Sequence, residues 1–375
     1  MVLVRSLFVN NSFVSIAAKI PIFTTSIFDD QMNQTITLRD IAKALNLSVS
    51  TVSRALTDSY QIGETTKKKV LAYAKAHQYV PNRMARGLKE GKSRSIGVVV
   101  CSIDNNFVAQ MLDGIDSYCT AHDYQIIMMQ SKESYEQEKA GVNLLYAGGI
   151  DGLLISPTYQ TIDFQHLTNL QNAGLPVVLF DRLSHQIDTH KVAANNFQGA
   201  YDATKHLIDN GFKIIAHINS DTKLSLATER FEGYKKALSD HNITYDDQLV
   251  KFCDATTATN LNENLMIAIK DLMSLNHKPD AIFTATDLLS TKSLSIIHQL
   301  GYVIPNEVAL IGFSNTDLAD SLNPSLSTIY QPAFEIGSLA AKQLLSLIEG
   351  KKTEAFETVL LETQLETRES SRPKV

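Results

Sequence analysis

Apolar residues between positions 36 and 56 recur at helical spacing and predict two short helices joined by a tight polar turn. The first helix begins at Thr37, whose spacing from Asp40 is that of a capping box. Ser48 is placed to cap the second helix, and Val52 would anchor that helix against the first. The pattern is typical of a helix-turn-helix, although an ordinary helical hairpin has the same signature.

After Arg94 short apolar segments alternate with amphipathic segments, which is the pattern of parallel sheets wound by right-handed crossovers. The predicted strands are 96–101, 125–129, 152–155, 176–180, 214–218, 281–284, 308–311 and 327–330. The predicted helices are 107–122, 135–146, 200–210, 229–240, 260–274, 287–300 and 334–349. So many strand–helix units exceed one compact sheet, and we therefore predict two similar α/β lobes.

The balance of basic and acidic residues also changes at Arg94. Twelve basic and four acidic residues lie between Thr35 and Arg94, whereas the residues after Arg94 include 20 basic and 34 acidic ones. A basic head on an acidic body is the electrostatic pattern of a nucleic-acid-binding protein, because phosphate neutralisation supplies most of the non-specific affinity. A charge run is more often a solvated face, but this one coincides with the helix-turn-helix.

Composition and motifs exclude several classes of protein. Cys101, Cys119 and Cys253 form no CxxC pair, which favours buried free thiols in a reducing compartment, and no apolar run is long enough for a membrane span. The chain has no GxGxxG, GxSxG or HExxH motif, and its ten histidines are scattered. We therefore predict no catalytic residues, no metal site and no cofactor.

From Thr37 to Arg368 the chain resembles transcription regulators of the lac-repressor/galactose-repressor family. The resemblance is carried, in order, by TLRDIAKALNLSVSTVSRAL (37–56), ETTKKKVLAYAKAHQYVPN (64–82), NRMARGLKEGKSRSIGVVV (82–100), LPVVLFDR (175–182), ATERFEGYKKAL (227–238), DAIFTATD (280–287), ALIGFSN (309–315), LSTIYQP (326–332) and TRESS (367–371). Several motifs in the right order make the resemblance specific.

The resemblance implies an N-terminal all-α helix-turn-helix domain followed by an α/β two-lobed, periplasmic-binding-protein-like domain with parallel sheets. It also implies lobes that share strands across crossovers near Asn195, Asn323 and Gln331, with a ligand cleft between them. The predicted divisions are an unassigned extension (1–34), the helix-turn-helix domain (35–81), a hinge helix and linker (82–94), and a two-lobed effector-binding and dimerisation domain (95–371).

The first 34 residues fit no predicted element. Lys19 and Pro21 interrupt their apolar stretch, so they fail as a signal peptide. Family members usually begin a few residues before the first helix, so we expect Met32 to be the native start and residues 1–31 to come from an upstream start assignment. The intact mass of protein made from its own chromosome tests this expectation, and a species starting at Met1 would contradict it.

For DNA binding, the resemblance implies that the first turn of the second helix enters the major groove. We expect Val49, Ser50 and Arg54 to contact bases or the adjacent backbone, with Arg54 recognising guanine. We expect phosphate contacts from Thr51, Ser53 and Asn82. The predicted set is completed by Thr37, Ser48, Arg83, Ala85 and Leu88.

Residues 82–89 (NRMARGLK) resemble the family's hinge helix, in which Leu88 would be the apolar wedge that enters the minor groove at the operator centre. Gly87 lowers helix propensity and the segment is short. We therefore expect the hinge to order only together with DNA and the hinge of a second subunit. Closure of the ligand cleft would change the spacing of the two hinges, with a coupling of about 1 to 3 kcal/mol.

For the effector, the resemblance places the two most characteristic contacts at Arg230 and Asp287. A guanidinium and a carboxylate suit sugar hydroxyls, and the guanidinium also suits the carboxylates or phosphates of a metabolite. The other candidates lie at strand ends, where α/β proteins place ligands, and are Asn105, Phe107, Asp181 and Asn195. A capping or salt-bridge role for Asp181, a capping role for Asp287 and core packing for Phe107 are the alternatives.

This chain departs from the family pattern at four positions. Asn106 stands where a proline is common, and Ser314 replaces a frequent aspartate. Val108 and Ala255 stand where aromatic residues are common. The loss of two aromatics weakens the expectation of a simple hexopyranose as the ligand.

The sequence therefore predicts a cytoplasmic, ligand-responsive and sequence-specific transcription regulator. We expect a homodimeric repressor of carbohydrate or related catabolic genes, because one helix-turn-helix covers only half of a palindromic operator. Activation or a corepressor-dependent mode stays open, as does the identity of the effector. The alternative from another class is a two-lobed sugar-binding protein without a DNA role, which would have an export signal and no basic head.

Overall fold

The structure of the chain is a computed structural model that describes residues 36–79, 92–220, 224–254, 258–350 and 355–372. The chain divides into two compact units, residues 1–82 and 83–375. Most of the predicted hinge, including Leu88, lies outside the described residues.

The first unit contains three helices, α1 (Leu38–Leu45), α2 (Val49–Leu56) and α3 (Glu64–Ala76). Both predicted caps are present, because Thr37 and Asp40 form the capping box and the Ser48 side chain accepts from the backbone N–H of Thr51. Asn46 adopts a left-handed conformation with φ of 53° and makes the tight turn between α1 and α2. The helices enclose a small core formed by Ile41, Ala42, Val52, Ala55, Val70 and Ala74.

The second unit contains twelve strands and eight helices among its described residues. The strands are β1 (Ser95–Val100), β2 (Gln125–Gln130), β3 (Gly152–Ile155), β4 (Val177–Phe180), β5 (Lys191–Ala194), β6 (Ile215–Ser220), β7 (Val250–Cys253), β8 (Ala281–Thr284), β9 (Ala309–Phe313), β10 (Ser327–Tyr330), β11 (Thr358–Leu361) and β12 (Gln364–Glu366). The helices are α4 (Asn106–Ala121), α5 (Tyr135–Ala147), α6 (Gln165–Asn172), α7 (Asn196–Asp209), α8 (Ser225–Asp240), α9 (Ala258–Met273), α10 (Asp287–Gln299) and α11 (Ala333–Ile348).

The strands form two six-stranded sheets, which confirms the prediction of two α/β lobes. Lobe A has the strand order β11-β5-β4-β3-β1-β2, with all neighbours parallel. Lobe B has the order β12-β10-β9-β8-β6-β7, in which only β12 is antiparallel to its neighbour. Helices α4 and α11 pack together in lobe A, and α7 and α8 pack together in lobe B.

The chain crosses between the lobes three times within the described residues. The first crossover lies at Asn195 between β5 and α7, and the second at Gln331 between β10 and α11. Both were predicted. The prediction of a crossover near Asn323 was wrong, because that residue lies between β9 and β10 of the same sheet. The third crossover is at residues 362–363, where β11 ends in lobe A and β12 begins in lobe B.

Glycines allow the helix pairs to approach closely. Gly114 of α4 and Gly337 of α11 face each other, and a Cβ at either position would overlap a backbone carbonyl oxygen of the other helix. A Cβ at Gly233 of α8 would likewise overlap the carbonyl oxygen of Phe197 on α7. Each lobe therefore contains a helix pair whose separation is set by backbone-to-backbone contact.

Candidate DNA-binding surface and effector cavity

Helix α2 presents a mixed surface to solvent. Val49, Ser50 and Arg54 are exposed, whereas Thr51 and Ser53 are half-buried. Val49 is apolar but 43% of its surface is exposed, so it does not belong to the core of this unit. The exposed set is the one predicted to contact bases.

Two of the predicted DNA contacts have a local structural role. The Thr37 hydroxyl donates to Asp40 at 2.6 Å, and the Thr37 backbone N–H donates to the same carboxylate at 2.9 Å. Ser48 Oγ accepts from the Thr51 backbone N–H at 3.0 Å and lies 2.8 Å from the Thr51 hydroxyl. Both side chains therefore hold helix starts, and any contact they make to DNA would be additional to capping.

The basic residues of the first unit differ in availability. Lys67 is buried, and its ammonium group donates to Asp58 at 2.7 Å and to Glu64 at 3.3 Å. This lysine ties the loop after α2 to helix α3. The exposed basic side chains are Arg39, Lys43, Arg54, Lys68, Lys69 and Lys75. The remaining predicted DNA contacts, Asn82, Arg83, Ala85 and Leu88, lie outside the described residues and stay predictions.

The second unit contains a cavity of about 440 Å³ lined by residues of both lobes. The structure brings five of the six predicted effector residues together in its wall. Lobe A contributes Asn105, Phe107 and Asp181, which follow the carboxyl ends of β1 and β4. Lobe B contributes Arg230 from α8 and Asp287 from the start of α10. Parallel strands place their carboxyl ends at one edge, which is where α/β proteins bind ligands.

Arg230 is almost completely buried and is held by neutral acceptors. Its Nε and Nη2 donate to Asn196 Oδ1 at 2.9 and 2.7 Å, and Nη2 also donates to Gln331 Oε1 at 2.7 Å. Its Nη1 donates to the Ala285 carbonyl. The guanidinium carbon lies 3.7 Å from the centroid of the Phe313 ring. Burial lowers the pKa of Arg230 to about 10 despite the nearby Asp181.

This arrangement limits how Arg230 can bind a ligand. A guanidinium has five N–H donors, and the contacts among the described residues use four of them. The remaining donor is on Nη1. Arg230 therefore suits a single acceptor, such as a hydroxyl oxygen. A bidentate pair with a carboxylate would need a second free donor.

The two aspartates have different surroundings. Asp287 accepts from the Ser314 hydroxyl, and burial raises its pKa against the effect of that hydrogen bond. Asp181 accepts from the Ser156 hydroxyl at 3.2 Å and adopts φ of 63°. Burial raises its pKa, although Arg182 and Arg230 oppose the shift. Asp287 is not an N-cap, since Thr286 has that role. Both carboxyl groups face the cavity as hydrogen-bond acceptors.

The structure does not bring Asn195 into the cavity wall, which corrects the prediction for this residue. Its Oδ1 accepts from the Gln198 backbone N–H at 3.2 Å as the cap of α7, and its Nδ2 donates to Glu362 at 3.1 Å. The next residue, Asn196, is the one that binds Arg230. Because successive residues at a helix start point in different directions, an error of one position moves the side chain away from the site.

Two further features of the wall were missed from the sequence. Glu133, just after β2, makes a two-pronged ion pair with Arg182 at 2.7 and 2.9 Å. Gln331, at the second crossover, lines the cavity while it accepts from Arg230. Gln331 lies within one of the quoted motifs, whereas nothing in the sequence around Glu133 marks it as a partner of a residue 49 positions away.

The charged groups of the wall are mixed, with an acidic excess. Five acids and three bases line the cavity: Asp104, Glu133, Asp181, Asp254, Asp287, Lys132, Arg182 and Arg230. Hydroxyl groups of Ser102, Ser156, Ser220 and Thr286 lie among them. A wall rich in acceptors with a formal excess of negative charge disfavours an anion and suits a neutral, polyhydroxylated ligand.

Within the described residues, no cluster of three His, Cys, Asp or Glu side chains is arranged to hold a metal ion. Likewise, no helix in the described part of the chain has the length and apolar character needed to cross a membrane. The three cysteines are buried and unpaired.

Two family models match separate parts of the chain. Residues 37–82 match the model for bacterial regulatory proteins of the lacI family, and residues 204–371 match a periplasmic binding protein-like domain. The HTH-type transcriptional repressor PurR of Vibrio vulnificus is 30% identical over 322 residues, which cover 84% of this chain and 93% of PurR.

A second relative and a solved structure agree with these matches. The ribose operon repressor of Haemophilus influenzae is 30% identical over 335 residues, covering 89% of this chain and 98% of the repressor. The structure of the transcriptional regulator CelR in complex with cellobiose superposes with a TM-score of 0.67 at 26% identity, covering 89% of this chain and 99% of CelR.

Proposed function

The chain belongs to the lacI family of bacterial regulatory proteins, and on that premise we propose that it is a cytoplasmic repressor. Its affinity for a palindromic operator is controlled by a carbohydrate that binds in the cavity. Ligand-responsive, DNA-binding regulation of transcription is the function of this family. The assignment of a carbohydrate as the ligand rests on the many hydrogen-bond acceptors in the cavity wall around Arg230, Asp181 and Asp287. The similarity to transcriptional repressors supports a regulator without enzymatic activity.

The carbohydrate assignment has support from relatives as well as from chemistry. One relative is named for ribose and one similar structure contains cellobiose. The single free donor of Arg230 and the two aspartates match the alternating donors and acceptors of sugar hydroxyls. The cavity is compatible with a repressor and with an activator. It is also compatible with a ligand that acts as an inducer and with one that acts as a corepressor. Operator binding measured with and without the ligand distinguishes these modes.

We expect Asp287→Ala to weaken binding of the carbohydrate about tenfold to a hundredfold, because charge-assisted hydrogen bonds contribute about 1.5 to 3 kcal/mol each. The effector is first found by thermal-shift screening of the full chain against ribose, cellobiose and other neutral sugars. Titration calorimetry then compares the variant with the wild type. Asn195→Ser is the matched control, because it keeps a capping side chain outside the cavity, and it should bind normally.

Two results would contradict the proposal for the cavity. The first is stabilisation by an anionic metabolite and by none of the neutral sugars. The second is an unchanged ligand affinity in Asp287→Ala.

We expect Arg54→Ala to lower the affinity for the specific operator by about 1 to 3 kcal/mol and to relax the base preference at one position of each half-site. The operator is identified by selection from a random DNA library. Lys68→Ala is the control, since its exposed charge should act on all sequences alike and reduce the salt slope by about one. A selection without a palindrome, or an unchanged base preference in Arg54→Ala, contradicts the assignment.

The predicted dimer needs a covered surface on the second unit. Lobe A exposes apolar side chains along its edge strand β2 and the adjacent helix α5, namely Ile127, Met128, Leu144 and Tyr146. Large apolar side chains exposed on an edge strand and its neighbouring helix mark a surface that a partner can cover. We propose that a second copy of this chain covers it. Sedimentation equilibrium of the ligand-free protein tests this, and a monomer at micromolar concentration would contradict it.

A further inference from the structure

Both side chains that accept from Arg230 come from the segments that connect the lobes. Asn196 is the first residue of α7, directly after the first crossover, and Gln331 lies in the second crossover. Arg230 Nη2 donates to both side chains at 2.7 Å. One buried guanidinium group therefore joins two stretches of chain that are 135 positions apart in the sequence.

Neighbouring contacts extend this connection. At the first crossover, the Asn195 backbone N–H donates to the Leu361 carbonyl at 2.8 Å, which ties it to the end of β11 just before the third crossover. At the second, the Gln331 backbone N–H donates to Asn315 Oδ1 at 3.0 Å. Asn315 in turn donates to Gln110 of lobe A at 2.8 Å. The crossovers form one hydrogen-bonded group that includes the Arg230 guanidinium.

We propose that Arg230 acts as a strut that fixes the first and second crossovers to each other, with Asn196 and Gln331 as its positioning residues. The inference concerns regulation of the proposed effector site and rests on that proposed function. An acceptor supplied by a ligand at Nη1 would act on a group that already holds the connections between the lobes. Ligand occupancy would thus reach the crossovers through a single side chain.

The physical argument is the cost of unpaired buried groups. Asn196 and Gln331 are each 4% exposed, so removal of the guanidinium takes away the donor to their side-chain oxygens at positions with little access to water. Buried polar groups without partners are destabilising. The segments that carry them should then open locally more often. Asp104 lines the same cavity from lobe A and lies in neither crossover.

Amide hydrogen exchange of the ligand-free full chain tests the strut. We expect Arg230→Met to exchange about tenfold faster than the wild type in peptides that cover residues 190–200 and 326–338. Asp104→Asn is the matched control, since it removes a charge from the same cavity and should leave both peptides unchanged. Gln331→Met should accelerate exchange at 326–338 more than at 190–200.

Equal exchange in Arg230→Met and Asp104→Asn would overturn the proposal, as would an acceleration spread evenly over lobe B. If Arg230→Met does not fold, Arg230→Lys replaces it, since a lysine keeps the charge but lacks the fork that spans two acceptors, and its crossovers should also exchange faster. Because exchange is measured without ligand, failure to find carbohydrate binding would contradict the proposed function and leave the strut supported.

Discussion

Gly337→Ala is expected to lower the free energy of unfolding by about 3 kcal/mol, the upper part of the usual range for overpacking. The added methyl group would overlap the Met111 carbonyl oxygen across the contact between α11 and α4. Because the colliding atom belongs to the backbone of a helix, no rotamer change relieves the overlap, and the two helices must move apart. Urea denaturation followed by circular dichroism measures the effect.

Gly141→Ala is the matched control in the same lobe. Gly141 lies in helix α5, and a Cβ there would meet Met129 Cβ at 3.4 Å, an ordinary contact. Alanine has a higher helix propensity than glycine by about 1 kcal/mol, so this variant should be as stable as the wild type or more stable. Similar losses of stability in both variants would show that the helix contact is not the cause.

Acid is expected to destabilise the protein through His217, by about 2.5 kcal/mol at pH 4.5 relative to pH 7. His217 is fully buried on β6, where its ring stacks on Phe283 and Tyr234 and its Nδ1 lies 3.1 Å from the Phe283 carbonyl. Burial lowers its pKa from 6.5 to about 3. The unfolded chain therefore binds a proton below pH 6.5 that the folded chain does not, and stability falls until the pH approaches 3.

His217→Phe should flatten this dependence, because phenylalanine keeps the stacking and does not titrate. Denaturant midpoints between pH 7 and 4 measure the slope. Some slope should remain, since burial also lowers the pKa of His190 and His206. His277→Gln, at an exposed position, controls for replacement of a histidine as such. An unchanged slope in His217→Phe would contradict the prediction.

The helix-turn-helix could be predicted in detail because its signals are local. The capping box at Thr37 and the cap at Ser48 depend on residues within three positions of each other. The two lobes were also predictable from periodicity. Strands β5, β7, β11 and β12 and helix α6 were not predicted. Strand β5 was missed because four residues that include Lys191 resemble a loop, whereas this lysine is buried and its Nζ donates to the Thr189 carbonyl at 3.2 Å.

The cavity was predictable only where a side chain itself faces the ligand space. Arg230, Asp181 and Asp287 combine a charged side chain with a position near a strand end. The partners of Arg230 could not be found this way, because Asn196 and Gln331 are brought to it by the tertiary fold. The third crossover was predicted near Asn323 instead of residues 362–363 because it also depends on the tertiary fold. Only the order of strands in the sheets reveals that β11 belongs to lobe A and β12 to lobe B.

The late crossing at residues 362–363 bears on how the protein is made. Both β11 and β12 are edge strands, and they complete lobe A and lobe B from one segment of nine residues, 358–366. The buried serines Ser370 and Ser371 then bond Leu310 and Ser327 of lobe B. Domains usually fold in order as the ribosome releases them. Here neither lobe can be complete until this segment has left the exit tunnel, so a nascent chain that stalls before residue 358 exposes an unpaired edge on both sheets at once.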